Sequence, residues 1–242
     1  MNPIDRLGPF VYSVLHAHNM LWELMLTPSE RRTAQKDIVR LRRRLPFFEG
    51  YEHSSVEVCR GLQEKYDAYV STVSPAPIAV SLELATFLAL TCEAYRPKAI
   101  LDLGAGFSSY VFRAYAKGAN ARPIVYSVDQ SSGWLAKTEQ FLREQRLDVS
   151  HMYALETFLA NERPPFDVAL LDVADLATRE QLLDLTITSC RPGGLIVIDD
   201  MHVPRYRRSI TQALSKRGLD YFSLRTLTLA RGRLRYSYLV IT

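Results

Sequence analysis

Residues 100–112 read ILDLGAGFSSYVF. An apolar run of strand character meets a turn carrying Gly104 and Gly106, and a helical pattern begins directly behind it. Glycine in such a turn lets the backbone bend sharply and approach a ligand closely, and the start of the following helix favours an anionic group. The stretch is not the dinucleotide fingerprint, because Ser108 and Ser109 stand where a further glycine would admit a pyrophosphate. Nor is it a P-loop, since no Gly-Lys-Ser/Thr follows.

Outward from this turn, short apolar runs alternate with longer amphipathic segments, the pattern of βαβ units. Strands are expected at 99–103, 124–128, 149–153, 168–171 and 195–198, with helices at 107–118, 132–146, 155–161 and 175–190 between them. The runs are almost wholly apolar, which implies parallel strands covered on both faces, and right-handed crossovers then give an open doubly wound sheet. After a helix at 205–217, two β-rich runs at 221–229 and 234–241 flank the turn Ala230-Arg231-Gly232-Arg233 and read as an antiparallel hairpin. The expected class is α/β: a Rossmann-like, doubly wound, mostly parallel seven-stranded sheet with a C-terminal antiparallel hairpin and an N-terminal helical cap.

The texture changes at Ser74-Pro75-Ala76-Pro77, which divides a helical segment, 1–75, from the sheet-forming domain, 76–242. In the first part Phe10, Val14, His18, Leu21 and Met25 recur at helical spacing. Thr27-Pro28-Ser29-Glu30 has the order of a capping box with proline at the first helical position. The basic run Arg31, Arg32, Lys36, Arg40, Arg42, Arg43 and Arg44, interrupted by Asp37, reads as a solvated helix face, with binding of RNA or a phosphorylated substrate as the alternative. Helices are expected over 56–72 and 81–95. The N-terminal helices are expected to cap the C-terminal ends of the strands, with Phe47 and Phe48 either lining an acceptor pocket or packing in the core; alternatively they pair two subunits into a homodimer.

With 48% hydrophobic and 23% charged residues in 242, the chain is a folding globular protein rather than a disordered one, long enough to bury roughly 70–75% of its unfolded surface. A net charge of +4 is far below the footprint of a dedicated nucleic-acid binder. Cys59, Cys92 and Cys190 are odd in number and widely separated, which argues against disulfides and structural zinc and for a reducing, cytoplasmic setting. The first residues lack a basic region ahead of a continuous apolar stretch, and no apolar run reaches membrane-spanning length, so neither secretion nor a membrane is expected.

The second strand, IVYSVD, ends in Asp129, where a carboxylate can accept both hydroxyls of a ribose. With the glycine turn, this makes residues 78–242 resemble a class I S-adenosylmethionine-dependent methyltransferase. The family's acidic residue, glycine loop and second acidic residue fall on Asp102, Gly104, Gly106 and Asp129, and RPGGLIVIDD at 191–200 is similar to its turn into the fifth strand. The resemblance implies that Gly104, Ala105 and Gly106 line the methionine part of S-adenosyl-L-methionine, with Ser108 and Ser109 helping to bind its carboxylate. It implies that Asp129 binds the ribose, that Asp102 holds the loop and the cofactor amine, and that Ser81 touches the methionine end.

Two further segments place carboxylates at neighbouring strand ends: Asp172 in FDVALLDVAD, and Asp199 and Asp200 in IVIDDMH. Three such groups together repel one another unless protonated, paired or holding a cation, and a hard divalent ion suits oxygen ligands. The arrangement resembles the catechol-O-methyltransferase-like enzymes, which implies Mg²⁺ at Asp172, Asp199 and Asp200; the competing reading caps a helix with one aspartate and pairs another with Arg205, Arg207 or Arg208. The chain departs from that pattern in carrying Asp175 where the family has Lys and Asp200 where it has Asn, so Asp172, Asp175 and His202 all stand as catalytic candidates. The segment Leu171-Asp172-Val173-Ala174 lacks the Asn/Asp-Pro-Pro-aromatic run of nucleic-acid amine methyltransferases. The expected function is methyl transfer to a hydroxyl of a small-molecule acceptor; an aminopropyl- or N-methyltransferase, or a non-catalytic binding protein of the same fold, are the alternatives.

Overall fold

The computed structural model describes residues 28–120, 122–230 and 234–242. The helix expected around residues 10–26, the residues ahead of Pro28 in the capping box, and Arg231 to Arg233 of the expected hairpin turn lie outside the described residues. The described chain begins with helices α1 (Pro28–Arg44), α2 (Tyr51–Thr72) and α3 (Leu82–Tyr95). It continues through β1 (Ala99–Leu103), α4 (Phe107–Gly118), β2 (Ile124–Asp129), α5 (Ser132–Glu144), β3 (Met152–Ala154), α6 (Leu155–Ala160) and β4 (Phe166–Leu171). It closes with α7 (Leu176–Ser189), β5 (Cys190–Ile198), α8 (Pro204–Lys216), β6 (Asp220–Ser223), the one-turn α9 (Arg225–Thr228) and β7 (Tyr238–Ile241).

The seven strands form one sheet in the order β3-β2-β1-β4-β5-β7-β6. The first five are parallel, whereas β7 runs antiparallel between β5 and β6. Every residue of β1 and β4 is buried, as continuous apolar runs in a sheet covered on both faces require. One face packs Ile100, Val168 and Val197 against Leu84, Phe87 and Leu88 of α3 and Phe107 and Phe112 of α4; Ile38, Leu41, Phe48 and Tyr69 of the preceding segments join this same core. The other face packs Leu101, Ala169 and Ile196 against Leu182 and Leu183 of α7 and Tyr206, Ile210 and Leu214 of α8.

The seven-stranded mixed sheet agrees with the sequence reading, but α2 starts at Tyr51 rather than 56 and β5 at Cys190 rather than 195, and two further segments differ for a local reason. β3 starts three residues later than expected because the Asp148 carboxylate accepts the Ser150 backbone N–H at 3.1 Å and His151 takes a left-handed conformation, so 148–151 is a turn. The final strands do pair antiparallel, but they are short and the segment between them contains α9 rather than a simple hairpin turn. Thr228 stabilises that detour, since its hydroxyl accepts the Ser237 N–H at 3.1 Å and donates to the Leu224 carbonyl at 3.2 Å.

Phe48 belongs to the core: it is buried and stacks on Phe87 with ring centroids 5.2 Å apart. No helix among the described residues is long and apolar enough to cross a membrane.

Candidate functional site

The sheet reverses its strand order between β1 and β4, and doubly wound sheets bind ligands in the crevice at that point. Here the crevice is closed at its floor. The Asp172 N–H donates to the Leu103 carbonyl at 2.7 Å, tying the end of β4 to the end of β1. Gly104 follows with φ +116°, and a Cβ added to it would lie 2.7 Å from the Asp172 carbonyl carbon. Both the conformation and the contact exclude any side chain at 104.

Beneath the glycine turn sits Asp102, wholly buried. It accepts the hydroxyls of Ser108 at 2.8 Å, Ser109 at 2.5 Å and Ser127 at 2.9 Å. Ser127 in turn accepts Arg113 Nη1 at 2.6 Å. Burial pushes the Asp102 carboxyl up to about 6, with the three hydroxyls and the Arg113 charge pulling the other way. The serine hydroxyls are thus engaged within the loop itself. They turn inward to hold Asp102, and Ser109 Oγ also accepts the Gly106 N–H at 3.1 Å, so they brace the loop from below.

Asp129 ends β2 beside this loop. Its Oδ1 accepts the Ser131 N–H at 2.9 Å, and burial raises its carboxyl above the ordinary value against the pull of backbone N–H groups of Ser131, Gln130 and Ala105. Ala105 is held from the opposite side by Trp134, whose indole donates to its carbonyl at 2.7 Å. Tyr69 reaches the turn from α2: its buried hydroxyl lies 3.4 Å from where a Gly106 Cβ would stand, with the Thr138 hydroxyl as its neighbour. Ser81 caps α3 by accepting the Leu84 N–H at 3.1 Å. Trp134 and Tyr69 had no sequence signal beyond their aromatic character.

The second group of expected residues converges as the strand ends predicted. One carboxylate oxygen each from Asp172, Asp199 and Asp200 lies within 4.8 Å of the others. Asp200 adopts φ +58°, a left-handed conformation that Asp tolerates better than most residues. Between the carboxylates, however, lie two guanidinium groups that sequence reasoning missed. Arg179 Nη1 is 2.9 Å from Asp172 and 2.8 Å from Asp200. Arg235 Nη2 is 3.2 Å from Asp172 and 2.5 Å from Asp199, and its Nε is 2.9 Å from Asp200.

Burial drives the Asp172 carboxyl up to about 7 despite both arginines. Burial acts on Asp199 too, but Arg235, the Ser237 hydroxyl at 2.7 Å and the Asp200 N–H outweigh it and hold that carboxyl below its usual range. Arg205, Arg207 and Arg208, the expected partners, are not in the cluster's ion pairs; Arg207 instead meets the Tyr236 hydroxyl and the Met201 carbonyl. Both missing partners did leave a mark in the sequence. Arg179 shares a helical face with Leu182, Leu183 and Thr186, and Arg235 interrupts the run LRYSYLVI, so each charge sits where an apolar residue was due.

His202 stands at the open edge of this cluster. Its Nδ1 lies 3.6 Å from Asp200 Oδ1 without a hydrogen bond, and its side chain is 32% exposed. Burial draws its pKa below 6.5, assisted by Arg235 and Arg207 and opposed by Asp200 and Asp199. Asp175 lies apart: exposed, it caps α7 by accepting the N–H groups of Ala177 at 2.8 Å and Thr178 at 3.1 Å. Those bonds hold its carboxyl below the ordinary range.

A divalent ion does not fit these residues, because the space between the oxygens already holds cationic nitrogens. A glycine-loop ligand with a ribose does fit the other half, where a glycine turn and a strand-end carboxylate stand side by side.

No family model and no curated protein matches the chain in sequence. In three dimensions it is similar to the O-methyltransferase from Bacillus cereus in complex with SAH, at 15% identity over 76% of this chain and 90% of that one, with a TM-score of 0.57. It is also similar to the O-methyltransferase TomG from Streptomyces achromogenes, involved in tomaymycin synthesis and in complex with SAM, at 16% identity over 78% and 88% with a TM-score of 0.56. The SAH-bound methyltransferase PaMTH1 from Podospora anserina gives 15% identity over 80% and 94%, with a TM-score of 0.57. The fold of this chain is thus that of the class I methyltransferases.

Proposed function

We propose that this protein is an S-adenosylmethionine-dependent methyltransferase acting on a hydroxyl of a small molecule. The observation that carries the reading is the crevice between β1, β2 and β4, where Gly104 to Gly106 and Asp129 face the position that ligands take in this architecture. The cofactor, when bound, supplies a methyl group activated by an adjacent sulfonium. The protein's part is then mainly orientation. Asp129 would accept the ribose hydroxyls and the turn's backbone would hold the methionine part, while Asp102, clamped by three serines, fixes the turn. We assign His202 as the base for the acceptor's proton, since it is neutral above its lowered pKa and its side chain is 32% exposed at the edge of the cluster.

The test is calorimetric titration of the full chain with S-adenosylhomocysteine. Micromolar affinity, about −8 kcal/mol, is expected. Asp129→Ala should weaken binding at least about tenfold with an unchanged melting temperature, the equivalent of one good hydrogen-bonded contact. With an acceptor in hand, His202→Gln should lower turnover about 100-fold and leave S-adenosylhomocysteine affinity unchanged. No binding by the wild-type chain would overturn the reading and favour a binding protein built on the same fold; competition by decarboxylated cofactor alone would favour aminopropyl transfer.

A further inference from the structure

We infer that the Asp172–Asp199–Asp200 cluster is not a divalent-cation site, and that Arg179 and Arg235 occupy the cation's place as fixed positive charges. The inference concerns the ends of β4 and β5 and does not depend on the cofactor reading.

The first argument is an inventory of oxygens. Asp172 Oδ1 has Arg179 Nη1 at 2.9 Å and Arg235 Nη2 at 3.2 Å, and its Oδ2 has Arg235 Nη2 at 3.4 Å. Asp199 Oδ1 accepts the Ser237 hydroxyl at 2.7 Å, and its Oδ2 faces Arg235 Nη2 at 2.5 Å. Asp200 Oδ1 faces Arg235 Nε at 2.9 Å, and its Oδ2 accepts Arg179 Nη1 at 2.8 Å. Every oxygen that would ligate a metal has a guanidinium nitrogen or a hydroxyl within 3.4 Å, although Asp199 Oδ2 and Arg235 Nε meet their neighbours as ion pairs without hydrogen-bond geometry. A Mg²⁺ ion needs oxygens at about 2.0–2.1 Å and a Ca²⁺ ion at about 2.3–2.6 Å, with no cationic nitrogen in the same shell.

The second argument is that neither arginine can step aside. Arg179 donates Nε to the Val173 carbonyl at 2.9 Å and Nη2 to the Ala174 carbonyl at 3.1 Å. Arg235 donates Nη1 to the Ala79 carbonyl at 3.0 Å. Both side chains are more than nine-tenths buried, at 7% and 8% exposure. A guanidinium also keeps its charge where a lysine would surrender it. Three carboxylates against two guanidiniums leave at most one net negative charge, too little to hold a bare divalent ion against the arginines' repulsion.

Mn²⁺ titration of the full chain, followed by the paramagnetic resonance of the free aqua ion, tests this directly. The wild type is expected to bind no Mn²⁺ at the cluster tighter than about 1 mM, the weak end of protein sites for hard cations. Its melting temperature should be the same in chelator, Mg²⁺ and Ca²⁺. Arg235→Met should open the site and bind Mn²⁺ at least tenfold more tightly than the wild type, a gain that a merely structural arginine would not produce. If that variant does not fold, the wild-type titration still decides. One equivalent of tightly bound Mn²⁺ that is lost in Asp200→Asn would overturn the inference, whereas wild-type binding that persists unchanged in Asp200→Asn lies elsewhere and supports it. S-adenosylhomocysteine binding, measured on the same samples, separates the two proposals: its absence counts against the methyltransferase reading and leaves the cation result standing.

Discussion

Asp102 and the Asp172–Asp199–Asp200 cluster both bury carboxylates at the same edge of the sheet, and they are held in opposite ways. Asp102 relies chiefly on the neutral hydroxyls of Ser108, Ser109 and Ser127, with the nearest strong charge, Arg113, reached through Ser127. The cluster relies on two guanidiniums in direct contact. Hydroxyls satisfy hydrogen bonding without cancelling charge, so the loop aspartate stays close to its protonation point. Guanidiniums offset charge directly and form an ionic block, within which burial still pushes the Asp172 carboxyl up to about 7. The two ends of the crevice thus differ in how their carboxylates are held, by neutral donors beneath the glycine turn and by charges at the ends of β4 and β5.

The strongest way to break this contrast is Arg235→Met. Removing one partner of a buried ionic group leaves charge uncompensated, and a loss of about 3–5 kcal/mol is expected in urea unfolding. Arg235→Lys should recover only part of it, because lysine lacks the fork that spans Asp172, Asp199 and Asp200. A loss below about 1 kcal/mol for the methionine variant would show that the block is not ionic in character.

Gly104→Ala should follow, at about 3 kcal/mol, from the φ of +116° and the 2.7 Å approach to the Asp172 backbone. Because that contact joins the two halves, the variant should also weaken S-adenosylhomocysteine binding.

The third test uses pH. Asp102 titrates at about 6 in the folded protein against 3.8 ordinarily, so between those values the folded state holds more protons than the unfolded one. Stability should therefore fall as pH rises through that window. Asp102→Asn should remove the slope there while leaving the part contributed by Asp172, which extends to about 7. A slope unchanged in Asp102→Asn would remove Asp102 from the account. Ser109→Ala is the mildest change: with Ser108 and Ser127 still donating, about 1–2 kcal/mol should be lost, read as a shift in the urea midpoint.

The sheet was largely legible because its signal is local. Residues 99–103 and 107–118 are as expected, since an apolar run, a glycine turn and an amphipathic segment each declare themselves within a few residues. The departures came where a polar side chain captured a backbone group, as at Asp148 before β3 and Thr228 before β7. Convergence of Asp172, Asp199 and Asp200 followed from adjacent parallel strands. Their counterions did not, because Arg179 arrives from a helix face and Arg235 from the far side of α9, and ion pairing over such separations leaves no spacing to read. The inward turn of Ser108 and Ser109 was equally hidden: sequence places a hydroxyl at a helix start but not the direction in which it points.

The insertion of β7 between β5 and β6 bears on how the chain folds. Arg235 lies just before β7 and meets Ala79, Asp172, Asp199 and Asp200, so one side chain joins segments separated by as many as 156 positions. A partly folded chain with β1, β4 and β5 docked but β7 still loose would gather three carboxylates around Arg179 alone. Their mutual repulsion opposes that intermediate, and β6 has no strand to pair with until β7 is seated. Completion of the sheet and neutralisation of the cluster are therefore coupled through the same residues, by contacts of the high sequence separation that slows folding.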